Sequence, residues 1–108
     1  MSAVAQVVDW QQRSVALALR TQAFIDGKFV AAGNGATFDC ISPLDGRVLG
    51  KVAACDSADI DAAVAAARRA FDSGAWSRTR PGQRKQVLLK FASLITKNAE
   101  ELALIETL

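Results

Sequence analysis

Two cysteines, Cys40 and Cys55, are the strongest nucleophiles that the sequence offers. A reactive thiolate needs a nearby cation, a helix N-terminus or a base that lowers its pKa. Cys40 follows Asp39 in a predicted strand, where the carboxylate favours the protonated thiol. Cys55 precedes a predicted helix, but Asp56 and Asp59 oppose the effect of the helix dipole. We therefore expect neither cysteine to be catalytic.

Acid–base and phosphate-binding patterns are also incomplete. Asp59 and Asp61 are two residues apart, so on a helix they face different sides and do not converge on one substrate. The run Gly33-Asn34-Gly35 lacks the third glycine and the following helix of a dinucleotide-binding loop. We interpret the first pair as helix-capping charges and the glycine run as a turn, and we predict no catalytic or cofactor-binding residue.

A basic cluster follows Trp76, and its members are Arg78, Arg80, Arg84 and Lys85. Nucleic-acid binding needs a longer basic face with exposed aromatic side chains. We expect a solvated helix start instead, with Trp76 packed beneath the loop and no nucleic-acid partner.

Composition narrows the classes further. The 108 residues carry a net charge of +2, are 51% hydrophobic, and contain no His and two Cys. These values fit one globular domain, and they exclude a disordered chain and a tetrahedral zinc site. No apolar run approaches the about 18 residues of a membrane span, and the N-terminus lacks the pattern of a secretory signal. We expect a cytoplasmic protein with free thiols and no membrane partner, although a Cys40–Cys55 disulfide stays open.

The elements that would position these residues change along the chain. Residues 4–19 predict a helix, and Asp26-Gly27 predicts a two-residue hairpin turn. Residues 37–42 and 47–53 predict a second hairpin. A helix with Ser57 as its N-cap would end at Gly74. The sequence thus predicts an α+β fold with an N-terminal helix (1–20), a hairpin segment (21–55) and a helical segment (56–108).

Two more helices are predicted after Gly74. One starts near Pro81 and would bury the face formed by Val87, Leu88, Phe91, Leu94 and Ile95. Asn98 and Glu101 are spaced as in a capping box and predict another helix, with an apolar face of Leu102, Ile105 and Leu108. This last helix has no stop signal before Leu108. We expect that the chain continues in a longer protein.

Five segments, in this order, resemble motifs of the NAD(P)-dependent aldehyde dehydrogenase superfamily. They are FIDGKF (24–29), ISPLDG (41–46), DIDAAVAAARRAF (59–71), QRKQVLLKFASLI (83–95) and EELALIETL (100–108). The resemblance covers residues 22–108 and implies a partial segment of the larger α/β fold of that family. Within the superfamily, Trp10, Gln11 and Arg20 are most similar to bacterial γ-glutamyl-γ-aminobutyraldehyde dehydrogenases of polyamine breakdown. Enzymes of other ω-amino or guanidino aldehydes remain rivals.

The resemblance implies a parent enzyme that oxidises an aldehyde to the acid with NAD or NADP and that forms a homo-oligomer. The family's cofactor-binding units, oxyanion-hole Asn, general-base Glu and nucleophilic Cys all come later in its chains. We therefore expect this segment to be inactive alone, to bind no cofactor, and to have the remainder of the dehydrogenase chain as its partner. The family also implies one weak metal ligand, the backbone carbonyl of Ile41 in a monovalent-cation site. The alternative is a free-standing α+β interaction module without enzymatic activity.

Overall fold

The computed structural model describes residues 7–108 and confirms the α+β class. Four helices and two separate two-stranded antiparallel sheets follow one another along the chain. Their bounds are α1 Trp10–Ala16, β1 Ala23–Ile25, β2 Lys28–Val30, β3 Thr37–Ile41, β4 Val48–Ala53, α2 Ser57–Ser73, α3 Pro81–Lys97 and α4 Ala99–Thr107. The first helix is shorter than predicted, because Asp9 caps it and Leu17 is already extended. Residues 4–6 of that prediction lie outside the described residues.

Both predicted hairpins form. The β1–β2 turn has positive φ at Asp26 (53°) and Gly27 (74°), as a two-residue turn between twisted strands requires. In the β3–β4 pair, Cys40 lies opposite Gly50 but Ile41 lies opposite Val48, so a bulge interrupts the ladder between Cys40 and Ile41. The turn that follows closes through a hydrogen bond from the Gly46 N–H to the Ser42 carbonyl (2.9 Å).

The ends of α2 follow local chemistry, with one correction. Asp56, not Ser57, is the N-cap, and its carboxylate accepts from the backbone N–H of Ala58 (3.0 Å) and Asp59 (3.3 Å). Asp59 completes a capping box by accepting from the Asp56 N–H (3.0 Å). A capping box places its acidic residue three positions after the N-cap, and Asp59 is only two positions after Ser57. Gly74 ends the helix at φ 76°, as predicted.

The capping box predicted for α4 does not form. Asn98 is the N-cap residue of α4, as predicted, but its side chain makes no capping bond. Its amide instead donates to the Leu94 carbonyl of α3 (2.8 Å). Because Asn98 also serves as the C-cap of α3, its side chain is used to close the helix that ends rather than the one that begins.

The described chain forms a thin layer. Its extents are 58 × 41 × 18 Å and its radius of gyration is 18.9 Å, against about 13 Å for a compact domain of this size. Within residues 7–108, only Ala32, Ser42 and Gly74 are buried. The predicted buried face of α3 is therefore wrong: all five of its side chains are about half exposed. A stable domain needs two packed layers, and this segment supplies one.

Candidate functional site

Cys55, Asp56 and Asp59 lie close enough to affect one another's titration. Asp59 accepts from the backbone N–H groups of Asp56 and Gly33, each at 3.0 Å, and these bonds hold the pKa of its carboxyl below the usual value. Desolvation and the adjacent Asp59 carboxylate raise the pKa of the Cys55 thiol. A raised pKa favours the protonated thiol, which is the weaker nucleophile, and the expectation that Cys55 is not catalytic stays a prediction.

Asp59 has a structural role that its helix position alone did not reveal. Its Oδ1 atom binds the Gly33 N–H, which lies in the loop between β2 and β3. A methyl group at Gly33 would lie 3.0 Å from that oxygen, so an alanine there would displace the carboxylate by a few tenths of an ångström. The carboxylate thus joins the hairpin segment to the start of α2.

Cys40 is half-buried and lines a cavity of about 450 Å³ between residues 18–21, β4 and α4. Leu49, Val52, Ile105 and Leu108 contribute apolar walls. The sequence contains no His that would act as a base for the thiol. Both cysteines are free, so the disulfide that the sequence left open is not formed.

Ser42 is almost fully buried, with 1% of its surface exposed. Its hydroxyl donates to the Leu108 carbonyl (2.6 Å) and accepts from the Leu44 N–H (3.3 Å). Its backbone N–H donates to the Arg47 carbonyl (2.9 Å). This residue ties the β3–β4 turn to the end of α4, and sequence reasoning missed it because a serine before a proline reads as an ordinary turn residue.

Ile41, the one predicted metal ligand, lies between this serine and the bulge. Among residues 7–108 no group of three or more His, Cys, Asp or Glu is placed to hold a metal ion. A backbone carbonyl is a suitable ligand for a hard cation, but one oxygen does not make a site. The described residues therefore fit such an ion only in part.

Two members of the basic cluster, Arg78 and Arg84, donate hydrogen bonds to nearby backbone carbonyls. The Arg78 guanidinium donates to the Asp72 carbonyl (3.1 Å), and Arg84 donates to the Ser77 carbonyl (3.4 Å). These bonds satisfy one carbonyl in the last turn of α2 and one in the loop that follows it. Trp76 is about half exposed, so the expectation that it packs beneath the loop is wrong.

The α2 helix has two unlike faces. Its small face, with Ala63 and Ala66, lies against the β1–β2 hairpin, and Arg69 reaches Asp26 there (3.4 Å). Its large apolar side chains point elsewhere, and they are Ile60, Val64 and Phe71, each 57–62% exposed. An exposed apolar face of this size normally belongs to an interface.

The N-terminal helix is held to the last one. The Arg13 guanidinium pairs with Glu100 of α4 (2.7 Å) and stacks over Trp10 at 5.0 Å. Both partners of the ion pair are exposed, so its contribution is at most about 1 kcal/mol. None of the helices described here is long and apolar enough to cross a membrane.

Comparison with curated proteins gives relatives over nearly all of this chain. The NADP/NAD-dependent aldehyde dehydrogenase PuuC of Escherichia coli is 44% identical over 99 residues, which are 92% of this chain and 20% of the relative. The aminoacetaldehyde dehydrogenase of Pseudomonas aeruginosa is 43% identical over 107 residues, or 99% of this chain and 20% of the relative. The chain thus spans about a fifth of the length of these relatives.

Solved structures show the same segment. An indole-3-acetaldehyde dehydrogenase of P. syringae, in complex with NAD+ and IAA, superimposes with a TM-score of 0.90 at 59% identity over 93% of this chain and 20% of its own. A γ-glutamyl-γ-aminobutyraldehyde dehydrogenase of Burkholderia cenocepacia gives a TM-score of 0.91 at 55% identity with the same coverage. The sequence profile of the aldehyde dehydrogenase family matches residues 29–108. The chain therefore belongs to the aldehyde dehydrogenase family.

Proposed function

We propose that residues 1–108 are a scaffold portion of an enzyme that oxidises an aldehyde to the acid with NAD or NADP. The observation that carries this proposal is the thin layer, which leaves apolar helix faces exposed. The chain also matches only one fifth of each of the two curated relatives. The other four fifths would supply the second layer and the reactive groups. The segment itself would contribute position rather than chemistry, and alone it would neither turn over nor bind the cofactor.

The substrate proposal rests on the relatives. One relative at 43% identity is named for aminoacetaldehyde, and one structure at 55% identity is named for γ-glutamyl-γ-aminobutyraldehyde. An amino- or γ-glutamylamino-aldehyde from polyamine breakdown is therefore our preferred substrate. The structure at 59% identity is named for an indole aldehyde, which keeps an aromatic substrate as the competing choice.

The proposed partners are the remainder of the dehydrogenase chain and further copies of that whole protein in a cytoplasmic homo-oligomer. We also propose that the Ile41 carbonyl is one ligand of a monovalent cation. Ser42 fixes the adjacent peptide to Leu108, and the remaining ligands would come from outside the described residues. We also propose that the chain divides into an N-terminal helix (1–20), a hairpin segment (21–55) and a helical segment (56–108).

A fusion protein tests the proposed function. Residues 1–108 are joined to the four fifths of the E. coli relative that this chain does not match, and NADH formation is followed with an amino-aldehyde and with an indole aldehyde. Turnover by the fusion, and none by either part alone, is the expected result. A fusion that is folded but inactive with both aldehydes would contradict the proposal, and turnover by residues 1–108 alone would contradict the scaffold role.

A further inference from the structure

We infer that residues 10–21 form a strap over the cavity of Cys40, and that the strap opens at α1 when salt screens the ion pair between Arg13 and Glu100. The strap consists of α1 and the segment 17–21 that leads to β1. This segment forms one wall of the cavity of about 450 Å³, and β3, β4 and α4 form the others. The inference concerns access to the cavity and does not rest on the proposed function.

The strap is anchored to β4 at Thr21. The Ala53 N–H of β4 donates to the Thr21 carbonyl (2.8 Å). A methyl group at Gly50 would lie 3.3 Å from the Thr21 methyl, so the strap lies close against the strand there. Gly50 is the cross-strand partner of Cys40, and paired residues project from the same face of a sheet. Thr21 therefore lies on the face that carries the Cys40 thiol.

The segment between α1 and this anchor packs along one side. Leu17, Leu19 and Thr21 are half-buried, whereas the residues between them are exposed. This period of two is that of an extended chain with one side against the protein. On the other side, the Arg20 guanidinium lies over the Phe29 ring at 4.7 Å. The end of the strap next to β1 is thus held by backbone and side-chain contacts.

The other end of the strap is held more weakly. α1 has seven residues and none of them is buried, and a helix this short is not stable in water without tertiary contacts. Trp10 and Val15 remain exposed, so apolar burial contributes little to the docking. The Arg13–Glu100 pair (2.7 Å) joins α1 to α4 at an exposed position, where salt weakens it. Release of α1 also frees residues 17–19, and the wall beside the thiol opens.

Alkylation of Cys40 by N-ethylmaleimide in the fusion protein measures the opening, and peptide mass spectrometry separates Cys40 from the other thiols. Arg13→Gln removes the ion pair. Arg68→Gln is the matched control, because Arg68 pairs with Asp72 on exposed positions of α2 (4.0 Å). Arginine and glutamine have similar helix propensities. At low salt we expect Arg13→Gln to speed the alkylation of Cys40 by up to about five-fold and Arg68→Gln to leave it unchanged.

Salt distinguishes the strap from a generally weakened fold. About 1 M NaCl should speed the alkylation of Cys40 in the unmutated fusion as much as Arg13→Gln does, and should have little further effect on that variant. Exchange of the two charges, Arg13→Glu with Glu100→Arg, should restore slow alkylation at low salt. Equal rates in the Arg13→Gln and Arg68→Gln variants, or a Cys40 that stays unreactive in all of them, overturn the inference. Neither readout depends on turnover, so an inactive fusion contradicts only the proposed function.

Discussion

The hydroxyl of Ser42 donates a 2.6 Å hydrogen bond to the backbone carbonyl of Leu108, 66 positions further along the chain. The bond joins the β3–β4 turn to the end of α4, and it is made by an almost fully buried side chain. It therefore holds the turn that follows Ile41, the proposed cation ligand, against the end of α4.

Replacement of Ser42 by alanine removes this bond and leaves the Leu108 carbonyl without its donor. The expected cost in the free energy of unfolding is about 1–2 kcal/mol, since a part-buried hydrogen bond is lost. Amide exchange in α4 and in residues 42–47 should then be about five to thirty times faster. Ser73→Ala is the matched control, because the Ser73 hydroxyl bond to the Ala70 carbonyl is exposed and water replaces it. Unchanged exchange in α4 would contradict the role given to Ser42.

Acid should separate the hairpin segment from α2 through Asp59. Its pKa is lowered in the folded chain, chiefly by the N–H groups of Asp56 and Gly33. A lowered pKa stabilises the fold above the unfolded value of about 3.9, and this contribution is lost as the pH falls through the folded value.

Stability measured against pH in this acid range should fall less steeply for Asp59→Asn than for the native chain. Asp61→Asn is the control, because it removes a charge from the same helix at an exposed position. Identical acid profiles of the native and Asp59→Asn chains would show that the Asp59 carboxylate does not join the two segments.

Two glycines should respond in opposite directions to alanine. Gly74 caps α2 at φ 76°, so Gly74→Ala places a side chain in the left-handed region at a cost of about 1–2 kcal/mol and crowds the Arg78 side chain. Gly82 lies in the first turn of α3 with open space around it, and Gly82→Ala should stabilise the helix by about 0.4–1 kcal/mol. Urea denaturation measures the free energy of unfolding of both variants. A change of the same sign in both would contradict the roles assigned to the two glycines.

Residues 1–108 alone should bind a hydrophobic dye and self-associate. The cause is the exposed apolar side chains on three helices, which include Val64 on α2, Phe91 on α3 and Leu102 on α4. Light scattering and dye fluorescence measure this. A monodisperse chain that melts cooperatively without dye binding would favour the alternative, a free-standing interaction module.

A change of cation should have no effect on the isolated segment. The described residues supply one proposed ligand, the Ile41 carbonyl, and no group of three or more His, Cys, Asp or Glu that could hold a metal ion. The melting curve of residues 1–108 should therefore be the same in sodium, potassium and choline chloride at equal ionic strength. The fusion protein should melt at a higher temperature in sodium or potassium than in choline. A fusion indifferent to the cation would remove Ile41 as a ligand.

Local interactions made much of this fold predictable. The Asp26-Gly27 turn and the Gly74 cap need positive φ, and residues that tolerate it are rare enough to mark such positions. Pro81 begins α3 as predicted, because its fixed φ suits the first helical position. The cap of α2 was misplaced by one residue, since Asp56 and Ser57 are both good caps and only the bond to Asp59 distinguishes them.

The negative expectations for the site rested on residue types, and they stay predictions. A chain without His has fewer general bases and metal ligands, and the carboxylates near Cys55 predicted a protonated thiol, which agrees with its raised pKa. The same reasoning did not reveal the long-range bonds from Ser42 to Leu108 or from Gly33 to Asp59. Each joins groups more than 25 positions apart, and no spacing rule connects them.

The sequence by itself determined which residues form helices, strands and turns, because these depend on neighbours within a few positions. The apolar periodicity of α2 and α3 also showed which side of each helix carries the apolar side chains that another element would have to bury. Only the tertiary structure decided that this cover is missing from the described residues, since burial depends on what lies opposite a face and not on the face itself. The small face of α2 meets the hairpin, whereas its large side chains, such as Val64, are left in solvent.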